Sequence, residues 1–123
     1  MAVSGFCIRA TASGYKFDLL ALNGQVVLSS EVYTSRAAAR KGAASVRLVA
    51  PTAPLENRTE EPVQSQPNPK FELSLDKAGK YRFRLKARNG KIVGISEGYH
   101  NKSGCLNGIE SVRMNALEAQ IEE

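Results

Sequence analysis

The sequence predicts an α+β fold in which two equivalent units, each made of strands followed by a helix, form one domain. The first observation is an internal repeat: residues 15–17 match residues 81–83 at an offset of 66, and the matches continue to 45–47 and 111–113, both Ser-Val-Arg. The second is an alternation of apolar and polar residues before Asn-Gly turns. The third is a cappable helical segment after each alternating stretch. Because a unit of about 50 residues buries only a marginal core, we expect the two units to pair as a homodimer would.

Length and composition fit a soluble globular protein. The chain has 123 residues, of which 42% are hydrophobic and 24% charged, which is ordinary for such proteins. It has no apolar run long enough to cross a membrane and no signal-peptide pattern, so we expect a cytoplasmic protein. Two cysteines and one histidine are too few for a standard structural zinc site. We expect no metal and no cofactor.

The second unit is predicted to open with a three-stranded antiparallel meander. Alternation indicates strands over residues 71–75 and 81–88, and in the longer strand the apolar side chains face the core while the basic ones face away. Asn89-Gly90 predicts a type I′ turn with positive φ at both positions. The return strand covers residues 91–97. In the first unit the matching strands are residues 6–10, 15–22 and 25–31.

A helix is predicted after each meander. Ser35 and Asn101 can accept a backbone N–H at the two helix starts, and the helices run to about residues 49 and 116. Gly42 and Gly108 occupy equivalent places inside them, where glycine costs roughly 1 kcal/mol relative to alanine. Because both copies carry this cost, we expect helix and sheet to approach too closely for a side chain.

A proline-rich segment separates the units. All five prolines lie between residues 51 and 69. We assign residues 1–57 to the first unit, 58–69 to an extended, mobile linker and 70–123 to the second unit. Leu55 and Ile121 match each other after the two helices, and each is a candidate for a short fourth strand.

Residues 80–90 and 98–116 carry a specific resemblance, since the turn, the helix start and the helix pattern all agree. They resemble the YegP-like family of bacterial domains of unknown function. The first unit keeps the spacing of the pattern but differs from it at four helix positions. It has Ala39, Lys41, Ala43 and Val49 where the second unit has Cys, Asn, Ile and Asn.

The resemblance implies tandem β-β-β-α-β units that share one antiparallel sheet, with two helices packed on one face and a pseudo-two-fold axis. It further implies that the last strands, near Leu55 and Ile121, cross to the partner unit. It implies no activity, because the family has none established.

Basic charge is concentrated in the second unit, where residues 70–116 hold ten of the 17 Lys and Arg side chains. Basic residues at strand spacing suggest contacts with a nucleic-acid backbone. We favour the alternative of a solvated sheet face, because the matching face of the first unit is not basic and no outward aromatic side chain is present for base stacking. The candidate residues are Lys80, Arg82, Arg84, Lys86, Arg88 and Lys91.

Leu20 and Leu22 are predicted to point outward from the first unit. They suggest an apolar patch for a protein partner, but here too we favour the alternative without a binding role, a patch covered by the linker.

Potentially reactive residues are interpreted as structural. Cys105 shares a helical face with Ile109 and Val112, which favours a buried cysteine. Glu31 and Tyr33 are repeated as Glu97 and Tyr99, and such symmetric duplication favours a structural role. We therefore expect a non-enzymatic binding or accessory protein, monomeric, whose partner the sequence does not identify; nucleic acid and protein are the two alternatives.

Overall fold

The computed structural model describes residues 5–117 and 119–122; the outer limits of the predicted units, at residues 1 and 123, lie outside them. The fold is α+β, with two helices covering one face of an eight-stranded sheet. In the first unit the elements are β1 Gly5–Thr11, β2 Gly14–Leu20, β3 Val26–Ser29, α1 Arg36–Val49 and β4 Leu55–Asn57. In the second they are β5 Lys70–Leu75, β6 Tyr81–Lys86, β7 Ile92–Ile95, α2 Lys102–Leu117 and β8 Gln120–Glu122.

The sheet order β4-β5-β6-β7-β3-β2-β1-β8 confirms the exchange of the last strands. Strand β4 of the first unit pairs with β5 of the second, and β8 of the second unit pairs with β1 of the first. The six central strands are antiparallel, as expected, but the two exchanged strands pair in parallel. Each helix acts as a crossover, so the chain can return in the direction of its new neighbour.

Two arginines fasten the exchanged segments. Arg113 of α2 donates a hydrogen bond to the carbonyl of Ala53, just before β4, at 2.7 Å. The equivalent Arg47 of α1 donates to the carbonyl of Ala119, just before β8, at 3.2 Å. The repeated Ser-Val-Arg sequence therefore has a structural role, since each arginine holds the other unit's returning chain.

Both helix starts follow the prediction. The Ser35 hydroxyl accepts the N–H of Ala38 at 3.0 Å, and the Asn101 side chain accepts the N–H of Gly104 at 2.7 Å. These bonds satisfy backbone donors that the first helical turn leaves without partners.

The predicted type I′ turns are wrong. Gly24 and Gly90 have positive φ, but no described non-glycine residue does, so Asn23 and Asn89 do not adopt that turn. Instead the N–H of Gly90 bonds to Ala87 and the N–H of Ala87 bonds to Lys91, which gives a three-residue loop closed by a glycine bulge. The strand therefore stops at Lys86, and Arg88, predicted to end it, lies in the loop. Leu22 lies beyond β2 for the same reason.

The helical glycines pack as predicted, and the reason is a tyrosine. A Cβ added to Gly42 would lie 2.3 Å from the Tyr33 hydroxyl, and one added to Gly108 would lie 2.4 Å from the Tyr99 hydroxyl. Each tyrosine ring also stacks on a buried phenylalanine of the sheet, Phe17 or Phe83. In both units the tyrosine side chain therefore packs between the helix and the sheet.

Candidate functional site

The outer face of the sheet, opposite the helices, carries Arg82, Arg84, Lys86 and Leu20 of the predicted site residues. Strand register places one continuous row across it. The row begins at Glu56 of the exchanged strand β4, passes through Glu72, Arg84 and Ile95 of the second unit, and continues through Ser29, Asp18 and Cys7 of the first.

Two adjacent carboxylates on this row are buried. The side chains of Glu56 and Glu72 are only 1% and 2% exposed. Buried carboxylates require charged partners and hydrogen bonds. Lys70, between them in the chain, supplies both with charge: its Nζ lies 2.9 Å from Glu56 and 3.4 Å from Glu72.

Glu56 also fastens the linker. It accepts a hydrogen bond from the backbone N–H of Gln66 at 2.8 Å and one from Arg58 at 2.6 Å. The Lys70 hydrogen bond, followed by that of Gln66, lowers the pKa of Glu56 to about 2, although burial acts in the opposite direction. The linker has no regular secondary structure, yet it is tied to the sheet edge.

Glu72 neutralises part of the predicted basic stripe, by which we mean the candidate residues Lys80, Arg82, Arg84, Lys86, Arg88 and Lys91. Burial raises the pKa of Glu72, but hydrogen bonds from Arg84 and Lys86 outweigh burial, so the net pKa is lowered. The Arg84 Nε lies 2.5 Å and the Lys86 Nζ 3.3 Å from its carboxylate. Two of the candidate nucleic-acid contacts are therefore also internal ion-pair partners.

The remaining basic candidates do not continue one stripe. Arg82 binds Asp76 through Nε at 2.7 Å. The side chain of Lys80 lies against Gly98, and Arg88 and Lys91 are exposed in the β6–β7 loop. The structure thus places three candidates on the outer row or beside it and the other three near strand ends.

The carboxylate pair is absent from the sequence-based predictions. Alternation over residues 71–75 placed Glu72 on the same face as the basic side chains, which was an available signal. Glu56 could not be added to it, because its position beside Glu72 depends on the strand exchange.

Apolar side chains form a second surface feature near the middle of the outer face. Leu20 is in register with Val26, and Val26 and Ile95 border one hollow of about 240 Å³ at the β3–β7 seam. Leu22, Val26 and Ile95 are 61%, 38% and 42% exposed. We call Leu20, Leu22, Val26 and Ile95 the apolar strip. The linker is held at Glu56, on the far side of the second unit, through Gln66. The part of the linker held there does not cover the strip.

The potentially reactive residues lie in different environments. Cys105 is fully buried, as predicted, and burial raises the pKa of its thiol to about 11. Cys7 is exposed on the outer row. Burial, the larger effect, and the charge of Glu31 raise the pKa of Tyr33, which packs beneath α1. Within residues 5–117 and 119–122, no group of three or more His, Cys, Asp or Glu side chains could hold a metal ion.

Neither described helix is long and apolar enough to span a membrane.

The fold and its surfaces define a class of proteins: tandem β-β-β-α-β domains whose last strands are exchanged within one chain. The chain belongs to the family described as "Domain of unknown function (DUF1508)", whose model matches residues 10–57 and 76–123. This confirms the resemblance seen in the sequence.

Relatives and solved structures agree. The chain is 39% identical to a UPF0339 protein of Photorhabdus laumondii over all of this chain and 96% of that protein. It is 36% identical to the UPF0339 protein YegP of Yersinia pestis, over 100% and 97% of the two chains. The solution structure of E. coli yegP, a protein of unknown function, matches with a TM-score of 0.78 and 32% identity over 99% of this chain and 93% of that one.

Proposed function

We propose that this protein is a non-enzymatic, monomeric binding protein that holds a protein partner against the apolar strip. The observation that supports this proposal most directly is the exposure of Val26 and Ile95, which border one hollow on the open sheet face, together with the exposed Leu22 in the loop after β2. Apolar side chains grouped in this way on a soluble protein usually mark a contact site.

A binding role also agrees with the state of the reactive groups. The Cys105 thiol is buried and its pKa is raised to about 11, so at neutral pH it is protonated and a poor nucleophile. This feature supports a surface that binds rather than one that catalyses.

The monomer is supported by the strand exchange within the chain. Each unit completes the other's sheet edge and each arginine clamp joins the two units. A second copy is therefore not required to complete the fold, and light scattering is expected to give the mass of one chain, 13.3 kDa.

The partner surface can be tested by affinity capture with three forms of the protein. We expect the wild type to enrich a partner reproducibly and the Leu20→Asp/Leu22→Asp variant to lose it, because each aspartate places a charge in the apolar contact. The control is Leu75→Asp, which changes an exposed leucine of β5 away from the strip. The proposal fails if the strip variant keeps the partner or if the control loses it equally.

A further inference from the structure

We propose that a cleft between α1 and the β6–β7 loop binds a small phosphorylated molecule. The cleft has a volume of about 700 Å³, within the range of roughly 300–1,000 Å³ typical of small-molecule sites. It is distinct from the apolar strip, so this inference does not depend on the partner proposed above.

The cleft exists because the two units meet through a narrow seam. Strands β3 and β7 share one residue pair in the described chain, Ser29 with Ile95, and these two residues are equivalent in the repeat. The seam therefore lies on the pseudo-two-fold axis, and the strands separate on both sides of it. One opening is the cleft lined by α1, and the other is a cleft of about 470 Å³ lined by Gln25, Val26 and Val27 with residues 97–100.

The first cleft is basic. Lys41 of α1, Arg84 and Lys86 of β6, and Lys91 of the β6–β7 loop line it together with one carboxylate, Glu31. Arg84 and Lys86 also pair with Glu72, so Lys41 and Lys91 carry the charge that is free to meet a ligand. Within residues 5–117 and 119–122, neither Lys41 nor Lys91 forms an ion pair. We call this the basic cleft.

The internal repeat provides a comparison within the same molecule. At the offset of 66 residues, Lys41 corresponds to Asn107 and Lys91 to Gln25. By the same offset, Arg84 corresponds to Asp18 and Lys86 to Leu20. The four basic side chains thus have no basic counterpart, although the tyrosine, the helical glycine and the Asn-Gly loop are the same in both units. Maintenance of the fold does not require this charge, since the other unit forms the same structure without it.

The arrangement fits a phosphate better than a single carboxylate. A phosphate ester carries up to two negative charges and three strong acceptor oxygens, which suits several cations facing one small space. Arg84 gives its Nε–H to Glu72, which leaves the two terminal nitrogens of its guanidinium as further donors. Arg84, one of the residues that line the cleft, therefore pairs with Glu72 without using all of its hydrogen-bonding capacity.

The cleft also has apolar walls. Val32 and Ile92 lie on its two sides, and Ala87 and Val93 line it as buried residues. An organic group attached to the phosphate could pack there while the phosphate meets Lys41 and Lys91. The expected ligand is therefore a small phosphorylated organic molecule rather than the free ion.

The test is an amide NMR titration at low salt with inorganic phosphate, pyrophosphate and adenosine diphosphate, with citrate as the carboxylate comparison. We expect adenosine diphosphate to bind more tightly than phosphate. Shifts should be concentrated at Gly42, Gly90 and Lys91 and not at the equivalent Gly108, Gly24 and Gln25. Affinity should decrease with added salt, because the lysines are exposed.

The matched variant is Lys41→Asn/Lys91→Gln, which installs the side chains that the other unit already carries at these positions. Its fold should be retained, and its affinity should fall about tenfold or more, since each lost ammonium removes a charge-assisted hydrogen bond. The reciprocal variant Asn107→Lys/Gln25→Lys should add shifts in the second cleft.

Four results would overturn the proposal: no binding by any of the three phosphates at low salt, equal shifts in both clefts, citrate binding as tight as that of pyrophosphate, or undiminished affinity in the Lys41→Asn/Lys91→Gln variant. A single-stranded oligonucleotide that binds along β5 and β6 while the small phosphates do not would assign the charge to nucleic-acid binding instead.

Discussion

Across the outer sheet face, the first unit presents Cys7, Asp18 and Ser29 where the second presents Glu72, Arg84 and Ile95. Cys7 and Glu72 are equivalent by strand register, since Cys7 pairs with Asp18 as Glu72 pairs with Arg84; the first unit is one residue shorter at its first turn, so the offset before that turn is 65 rather than 66. The interiors differ far less. The stacked rings of Phe17 and Tyr33 are 6.2 Å apart, and those of Phe83 and Tyr99 are 6.3 Å apart. The Ser30 hydroxyl accepts the backbone N–H of Phe17, and the Ser96 hydroxyl accepts that of Phe83, both at 2.9 Å.

This difference shows which part of the sequence is constrained by packing. A buried ring or helical glycine must match its neighbours in both copies, because interiors are close-packed. A residue on the outer row faces solvent or another outer residue, so the two copies could diverge there. The buried carboxylates, the basic cleft and the apolar strip are all products of that divergence.

The largest expected effect comes from replacing Glu72 with cysteine, the residue that the first unit has at the equivalent position, Cys7. Glu72→Cys should lower the free energy of unfolding by about 2–3 kcal/mol, since it leaves Lys70, Arg84 and Lys86 with fewer partners beside a buried position. Urea unfolding followed by circular dichroism measures this. The control Cys7→Ser changes the equivalent exposed residue and should alter stability by less than about 0.5 kcal/mol.

Lowering the pH provides a second test of how the Glu72 carboxylate stabilises the fold. The pKa of Glu72 is lowered and that of Glu56 is lowered from 4.5 to about 2. Because the folded pKa values lie below the unfolded ones, both carboxylates stabilise the fold above pH 4.5. The contribution of Glu56 is lost as the pH falls towards 2, and that of Glu72 is lost as the pH falls below 4.5 through its lowered pKa. The stability gap between wild type and Glu72→Cys should therefore narrow in acid. A gap that stays constant would show that the carboxylate charge is not its source.

The next effect tests whether the interiors are as alike as their geometry indicates. Gly42→Ala and Gly108→Ala should each cost about 2 kcal/mol, because the new methyl group overlaps a tyrosine hydroxyl and overpacking outweighs the gain in helix propensity. The two losses should agree closely. Tyr99→Phe should partly restore stability in the Gly108→Ala background, since it removes the overlapping oxygen, and no rescue would contradict the assigned contact.

The repeated interior was accessible from the sequence for a physical reason. Alternation, capping residues and helical glycines are local features, and their repetition identifies them twice. The cap at Ser35 and the buried face around Cys105 follow from neighbours along the chain. The turn type did not follow, because an Asn-Gly pair suits both a two-residue loop and a three-residue loop with a glycine bulge. The three-residue loops end β2 at Leu20 and β6 at Lys86, so Leu22 and Arg88 lie in loops.

The surface sites were less accessible, because they depend on contacts distant in sequence. The basic stripe was visible, but its neutralisation by Glu72 required the β5–β6 register. Glu56 reaches Glu72 only through an exchanged strand. The basic cleft joins Lys41 of one unit to Lys91 of the other across 50 residues of chain, and no pattern in either unit alone indicates it.

The smallest expected effect distinguishes Arg113 from Arg47, the two arginines of the repeated Ser-Val-Arg sequence that hold the exchanged segments. Arg113→Met should cost about 1.5 kcal/mol and Arg47→Met about half as much, as methionine keeps much of the apolar stem but donates no hydrogen bond. Arg113 makes the shorter bond to the exchanged segment, and its guanidinium also lies 5.2 Å from the centre of the Phe71 ring. Paired urea titrations measure both losses. Equal losses would contradict the assigned role of Phe71, whereas a larger loss at Arg113 would show that the second unit's helix holds the exchanged strand more firmly.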